Sequence, residues 1–168
     1  MLKRGAIDFG IETATLPNSV TIDLAIVRHP GASAIVALDR NGSIAMLSQY
    51  RHAIGGYLWE VPAGCRAEGE SFLDCAKREL REEARLAAAR WDRLGSIVTV
   101  PSFCDERIEL FLARDVSRAS GELDADEVIR IERLSMKQVL TMIRAGEIVD
   151  SKTIAALHHA SDVITSGG

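Results

Sequence analysis

Short β-branched runs separated by tight turns fill the first third and the middle of the chain, and helical periodicity appears in three places. Val20 to Val27 (VTIDLAIV) predicts a strand, broken by His29-Pro30-Gly31, and Ala34 to Leu38 (AIVAL) predicts a buried one. Asp39-Arg40-Asn41-Gly42 supplies a hairpin turn with its Asn-Gly pair, and Ile44 to Gln49 is the returning strand. Leu58 to Val61 is a short strand stopped by Pro62-Ala63-Gly64. Ser71 is placed to cap a helix that runs to about Ala84 or beyond, with Leu73, Ala76, Leu80, Ala84 and Ala87 as its apolar stripe. Asp74, Lys77 and Arg81 take its solvent side. Ile97 to Val100 and Ile108 to Ala113 predict two strands joined by a loop over 101–106, and the polar, acidic 115–127 predicts a loop able to order over a site. Val128 to Leu134 is a further strand. Ser135 and Gln138 form a capping box for a helix ending near Gly146, and Asp150-Ser151 opens a last helix to about Ile164. Residues 1–18 are weakly patterned and close on the turn Leu16-Pro17-Asn18. Strands and tight turns mixed with three helices predict a mixed sheet between helices, in one domain over 1–168.

A chain of 168 residues with 47% hydrophobic content can bury a sizeable core. Charged residues make up 26%, and the net charge of −4 argues against general nucleic-acid binding. It also means that an anionic substrate must be attracted by local cations or arginines. No run approaches the ~18 apolar residues of a membrane span, and MLKRGAIDFG lacks a signal-peptide core, so a cytoplasmic location is expected. Cys65, Cys75 and Cys104 show no paired spacing; small buried or half-buried thiols explain them more simply than a nucleophile or a disulfide. The four histidines show no metal spacing with the acidic cluster described next, and His158-His159 read as packing or surface groups.

That cluster lies in Gly64 to Leu86, GCRAEGESFLDCAKRELREEARL. Helices advance roughly 100° per residue, so Glu79, Glu82 and Glu83 share one face. Like charges at i,i+4 cost a helix roughly 0.2–0.5 kcal/mol per pair. Hard divalent cations take oxygen ligands, and Glu79 and Glu83 can reach one ion cluster from one face with Glu82 joining from the side. Arg78 can hold a glutamate in position, and Glu70 can accept from Arg78. The competing reading is a solvated acidic helix face.

The spacing decides between them. Gly64, five residues, Glu70, seven residues, then Arg78-Glu79-Leu80-Arg81-Glu82-Glu83-Ala84-Arg85-Leu86 resembles the Nudix box, Gly-x5-Glu-x7-Arg-Glu-U-x-Glu-Glu-x-Gly-U with U apolar. Eight of nine specified positions match over 23 residues; Arg85 stands where the second glycine belongs. Glycine there suits a left-handed helix end, so Arg85 bears on the helix terminus, which can run on through Ala87-Ala88-Ala89. Leu16-Pro17-Asn18, Arg28-His29-Pro30-Gly31, Gln49-Tyr50-Arg51, the stretch LWEVPAG from Leu58 to Gly64, and PSFCDE from Pro101 to Glu106 are similar to segments of the ADP-ribose pyrophosphatase branch. Pro101, 15 residues past the box, is a mark of that branch; Ser102 replaces the glycine that usually follows.

The resemblance implies a Nudix-type α/β/α sandwich, α+β with a mixed sheet, preceded by a small N-terminal β-sheet region over about 1–35 that is exchanged in a homodimer. It implies Mg²⁺-dependent hydrolysis of a nucleoside diphosphate sugar, ADP-ribose to AMP and ribose 5-phosphate, with Mn²⁺ as a substitute ion. GDP-mannose or another nucleotide sugar is the alternative substrate. A non-catalytic ADP-ribose sensor is the alternative from another class, although such domains typically lose box carboxylates and Glu79, Glu82 and Glu83 are all here. By family position the metal ligands are the Ala63 carbonyl, Glu79, Glu82 and Glu83. Arg51, Glu60, Phe103 and Glu106 are the substrate-binding candidates, and Arg78 and Glu82 join the catalytic set. The general base is expected from the late acidic loop: Glu127, with Asp126 and Glu122 as competitors.

Overall fold

The computed structural model describes residues 2–4, 7–121 and 128–166. Ten strands and three helices are assigned among them. The central sheet has the order β7 (Ala63–Cys65), β4 (Ala32–Ala37), β9 (Arg107–Arg118), β8 (Leu86–Val98). Its middle pair, β4 and β9, is parallel and the outer pairs are antiparallel, so the sheet is mixed as expected. A second sheet sets β10 (Ile129–Ser135) and β6 (Gly56–Glu60) on either side of β5 (Ser43–Arg51), all antiparallel.

β4 explains its own sequence. Both faces of the sheet are covered, so all six residues of ASAIVA are buried and no polar alternation appears. Ile35 and Ala37 pack with Phe111 and Ala113 of β9 against Ala76, Leu80 and Ala84 of α1 (Phe72–Ala84). Ala34 and Val36 face the other way, with Leu110, Leu112 and the helices α2 (Met136–Arg144) and α3 (Ser151–Ser166), including Val139, Ala156 and Leu157. The result is an α/β/α sandwich.

The helix starts match the sequence reading. Ser71 caps α1 by accepting from the Asp74 N–H, and Ser135 with Gln138 forms a reciprocal capping box on α2. The Asp39–Gly42 turn closes with Gly42 N–H donating to the Asp39 carbonyl at 3.1 Å, Gly42 having φ of 77°.

Three expectations are corrected. The helix does not run on through Ala87–Ala89: Arg85 is left-handed (φ 54°, ψ 43°), donates its N–H back to the Arg81 carbonyl, and the chain enters β8 at Leu86. Ala87 is therefore off the helical stripe, and β8 occupies 13 residues where Ile97 to Val100 alone was expected. The polar stretch from 115 begins as the end of β9, which continues to Arg118 because Leu86, Ala87 and Ala88 pair with it. Residues 1–18, weakly patterned as a sequence, carry two strands of the small N-terminal sheet that the resemblance implies. β1 (Leu2–Arg4), β2 (Ile7–Thr15) and β3 (Thr21–Arg28) form a separate sheet, and β2 alternates strictly between exposed and half-buried positions. The exposed set is Ile7, Phe9 and Ile11, followed by Thr13 and Thr15, so the apolar residues at the start of this strand face outward. β3 ties this sheet to the central body: Val27 bridges Cys104, and Arg28 pairs with both Glu12 and Asp105.

Arg85 yields a direct test. A Cβ in the left-handed region costs roughly 1–2 kcal/mol, part of which glycine returns as extra freedom in the unfolded chain. Arg85→Gly is expected to stabilise the protein by roughly 0.5–1 kcal/mol in urea unfolding. A lower urea midpoint would show that the arginine side chain contributes more than its backbone costs.

Candidate active site

Arg78, in the second turn of α1, gathers the acidic face. Its Nε and Nη2 donate to Glu70 Oε1 and Oε2 at 3.0 and 3.1 Å. Nη1 donates to Glu79 Oε1 at 2.5 Å and to Glu82 Oε2 at 3.0 Å, and Nη2 also reaches the Cys65 carbonyl at 2.9 Å. Glu70 is held below the usual carboxylate range by these bonds from Arg78, reinforced by the Ala67 N–H. One side chain thus fastens the loop over 63–70 to the helix that follows it.

Glu79 and Glu83 are buried, and Glu82 is partly exposed beside them. Glu83 Oε2 accepts the Ala63 N–H at 2.8 Å, which sets the loop against the helix from its other end. Gly64 lies under Glu79 so closely that a Cβ there would fall on the carboxylate. The glycine of the motif is needed for this approach, not for a left-handed backbone; Gly64 is absent from the positive-φ glycines. Among the described residues no three acidic, thiol or imidazole groups close into a ready cation cage, and Glu79 and Glu82 instead share Arg78. The donor set fits a hard divalent cation: all-oxygen carboxylates on one helical face, with the close Gly64 cradle holding Glu79 at the loop.

The loop opens into a cleft of about 360 Å³ lined by Arg51, Ala63, Gly64, Cys65, Thr99, Glu106 and Lys152 among others. Glu106 accepts from Thr99 Oγ1 at 2.7 Å and lies 3.5 Å from His29 Nε2. His29 Nδ1 accepts the Gly31 N–H, so in the neutral ring Nε2 carries the proton and faces Glu106 and the Cys65 sulfur. All three cysteines are free. Withdrawal of its sulfur from water, with Glu106 and Glu79 nearby, raises the Cys65 thiol, and burial pushes Cys75 up to about 11. Neither environment favours a thiolate nucleophile.

Arg51 and Glu60, both expected at the substrate, meet as a pair: Arg51 Nε and Nη2 donate to the two carboxylate oxygens at 2.8 Å each. Glu60 is buried beneath Arg51. Burial pushes its carboxyl up, but the Arg51 hydrogen bonds and the charge of Lys152 outweigh that and hold it below the usual range. Lys152 and Asp150, at the start of α3, were legible only as a helix start, yet both line the cleft. Phe103 does not: it sits half-exposed on a neighbouring pocket with Pro101, Arg28 and Arg107. Pro101 occupies the second position of a turn closed by Phe103 N–H on the Val100 carbonyl, and Ser102 has no positive φ, so the turn requires no glycine there. Glu127, Asp126 and Glu122 lie outside the described residues. The chain reaches them from Gly121, where a Cβ would strike the Arg81 carbonyl in the last turn of α1, next to Glu82.

The NUDIX domain model matches residues 27–157, which span the last two residues of β3 through the first turns of α3. The chain is 34% identical over 155 residues to the ADP-ribose pyrophosphatase of Bacillus subtilis, covering 91% of this chain and 84% of that one. It is 37% identical over 152 residues to the methanol dehydrogenase activator of Bacillus methanolicus (89% and 82% covered). It is likewise 37% identical over 156 residues to the ADP-ribose pyrophosphatase of Mycobacterium tuberculosis (90% and 74%). A crystal structure of an ADP compounds hydrolase superposes with a TM-score of 0.80 at 17% identity, covering 100% of this chain and 99% of the other, which establishes the shared fold. With the box geometry, the matched span and these identities together, the chain belongs to the NUDIX family.

Proposed function

We propose that this protein is a hydrolase of the pyrophosphate bond in nucleoside diphosphate sugars, acting on ADP-ribose to release AMP and ribose 5-phosphate. The observation that carries the reading is the junction of the cleft with the carboxylate helix. Ala63 and Gly64 line the cleft together with the guanidinium of Arg51, and the same two residues touch Glu83 and Glu79, the first through the Ala63 N–H and the second through the close approach at Gly64. The ADP-ribose pyrophosphatases of B. subtilis and M. tuberculosis, as relatives over most of the chain, support the substrate class.

Glu79, Glu82, Glu83 and the Ala63 carbonyl would hold Mg²⁺, with Mn²⁺ as substitute. Bound there, a divalent cation would supply charge neutralisation for the diphosphate and a lower pKa for a water. Arg78 positions Glu79 and Glu82 and touches no substrate atom in this scheme. Arg51 offers a planar guanidinium to the diphosphate. Glu106, oriented by Thr99 and facing the cleft, is suited to a ribose hydroxyl. Phe103, outside the cleft, has no such support as a base contact. Glu127 is the proposed acceptor of the proton from the attacking water, with Asp126 and Glu122 as competitors. The outward Ile7, Phe9 and Ile11 favour a homodimer in which a second chain covers the N-terminal sheet. No helix among the described residues is long and apolar enough to cross a membrane, and a cytoplasmic location goes with the proposed substrate.

Incubation with Mg²⁺ and a panel of ADP-ribose, GDP-mannose and other nucleotide sugars should release nucleoside monophosphate fastest from ADP-ribose, and a chelator should abolish release. Binding of ADP-ribose without turnover of any sugar would identify a sensor instead. Glu83→Gln keeps an acceptor for the Ala63 N–H and should lower kcat by roughly 10²-fold or more with an unchanged thermal melt. Gly64→Ala is expected to displace the Glu79 carboxylate and lower kcat roughly 10–100-fold. A fully active Gly64→Ala enzyme would show that Glu79 need not sit against the loop.

A further inference from the structure

Beneath the cationic wall of the cleft lies a network of four charges that no box residue enters. Glu60 Oε2 accepts from Arg51 Nη2 at 2.8 Å and from Lys152 Nζ at 2.5 Å, while Oε1 accepts from Arg51 Nε. Asp150 Oδ2 then takes the same lysine at 3.0 Å and the Thr153 N–H at 3.0 Å, so Lys152 is locked to the first turn of α3. Next to Glu60, the Val61 N–H donates to Thr153 Oγ1, a buried bond at 3.0 Å across 92 residues. The start of α3 therefore grips residues 60 and 61 by side chain and backbone together.

The exposures assign different parts to the two cations. The Glu60 side chain is 2% exposed, Lys152 15% and Arg51 39%. Lys152 sits on the sheltered side of the carboxylate, and Arg51 reaches past it toward solvent. The Glu60 pair uses Nε and Nη2 of the guanidinium, and Nη1 has no hydrogen-bond partner among the described residues. A carboxylate so enclosed can aim a guanidinium only if its own rotamer is fixed, and here a second cation tied to another element fixes it.

We infer that Lys152 is a positioning residue for substrate binding, holding Glu60 so that Arg51 presents Nη1 to the anionic diphosphate in the cleft. This rests on the reading that Arg51 binds the substrate. Lys152 acts through its neighbours and not by its own contact with the ligand. With methionine at 152 the fold can keep its shape while Glu60 is anchored from one side only, and Arg51 gains freedom that binding must then remove.

Steady-state kinetics on ADP-ribose with Mg²⁺ test this in a double-mutant cycle. Lys152→Met should raise KM about tenfold while kcat changes less than about threefold, and Lys152→Arg should recover most of the loss. In an Arg51→Ala background, Lys152→Met should add less than about twofold to KM. Should Lys152→Met lose the native thermal melt, Lys152→Gln, which keeps a donor for Glu60 without the charge, takes its place in the cycle. Full additivity in the Arg51→Ala background would overturn the inference, because Lys152 would then touch the substrate itself. A wild-type KM for Lys152→Met beside a raised KM for Arg51→Ala would overturn it as well. An unchanged KM for Arg51→Ala would remove the substrate role of Arg51, a failure visible in the single variant.

Discussion

A guanidinium carries five N–H donors in one plane, and Arg78 directs five hydrogen bonds at three carboxylates and one backbone carbonyl. Its bonds reach backward to Glu70 and Cys65 in the loop and sideways to Glu79 and Glu82 on its own helix. Without a cation at that point, the acidic side chains of the box would repel one another, and the loop would be left with its ties from Ala63 to Glu83 and from Gly64 to Cys75. The Gly64 approach to Glu79 and the Ala63 bond to Glu83 share the alignment that Arg78 reinforces, since both require the loop to run within touching distance of the helix. Lysine could supply the charge but not the planar fan.

The sheet sets where this joint can stand. β7, the start of the loop, is the edge strand beside β4, and α1 returns across the face made by Ile35, Ala37, Phe111 and Ala113. The buried stripe of α1, Ala76, Leu80 and Ala84, fixes its rotation, and that rotation turns Glu79 and Glu83 toward the loop. Core packing and site geometry are thus consequences of one helical phase. A slip of one residue would move the carboxylates roughly 100° around the axis.

Whatever was encoded by neighbours in the chain was legible in the sequence. The Asn-Gly hairpin, the Ser71 and Ser135 caps and the spacing of the acidic residues each act within a few positions, and each stands where the pattern put it. Arg85 misled because helix propensity favours continuation, whereas pairing of Leu86–Ala88 with β9 pulls the chain out of the helix and imposes a left-handed residue. The first strands came from the family resemblance and not from their own pattern, although Ile7, Phe9 and Ile11 alternate with Asp8, Gly10 and Glu12; their apolar side faces outward, so they lack the look of a core strand. Lys152 was invisible for another reason. Nothing within its own helix calls for a lysine there, and its partner Glu60 lies 92 positions away.

That separation has a temporal side. Chains emerge from synthesis N-terminal end first, and distant contacts form after local ones because the loop between them must close. The box, its loop and the central strands are complete by Arg118, but the clamp on Glu60 and Val61 needs residues of α3. A nascent chain therefore holds its acidic helix face before the cationic wall of the cleft is braced. The two come into register only when the final helix docks.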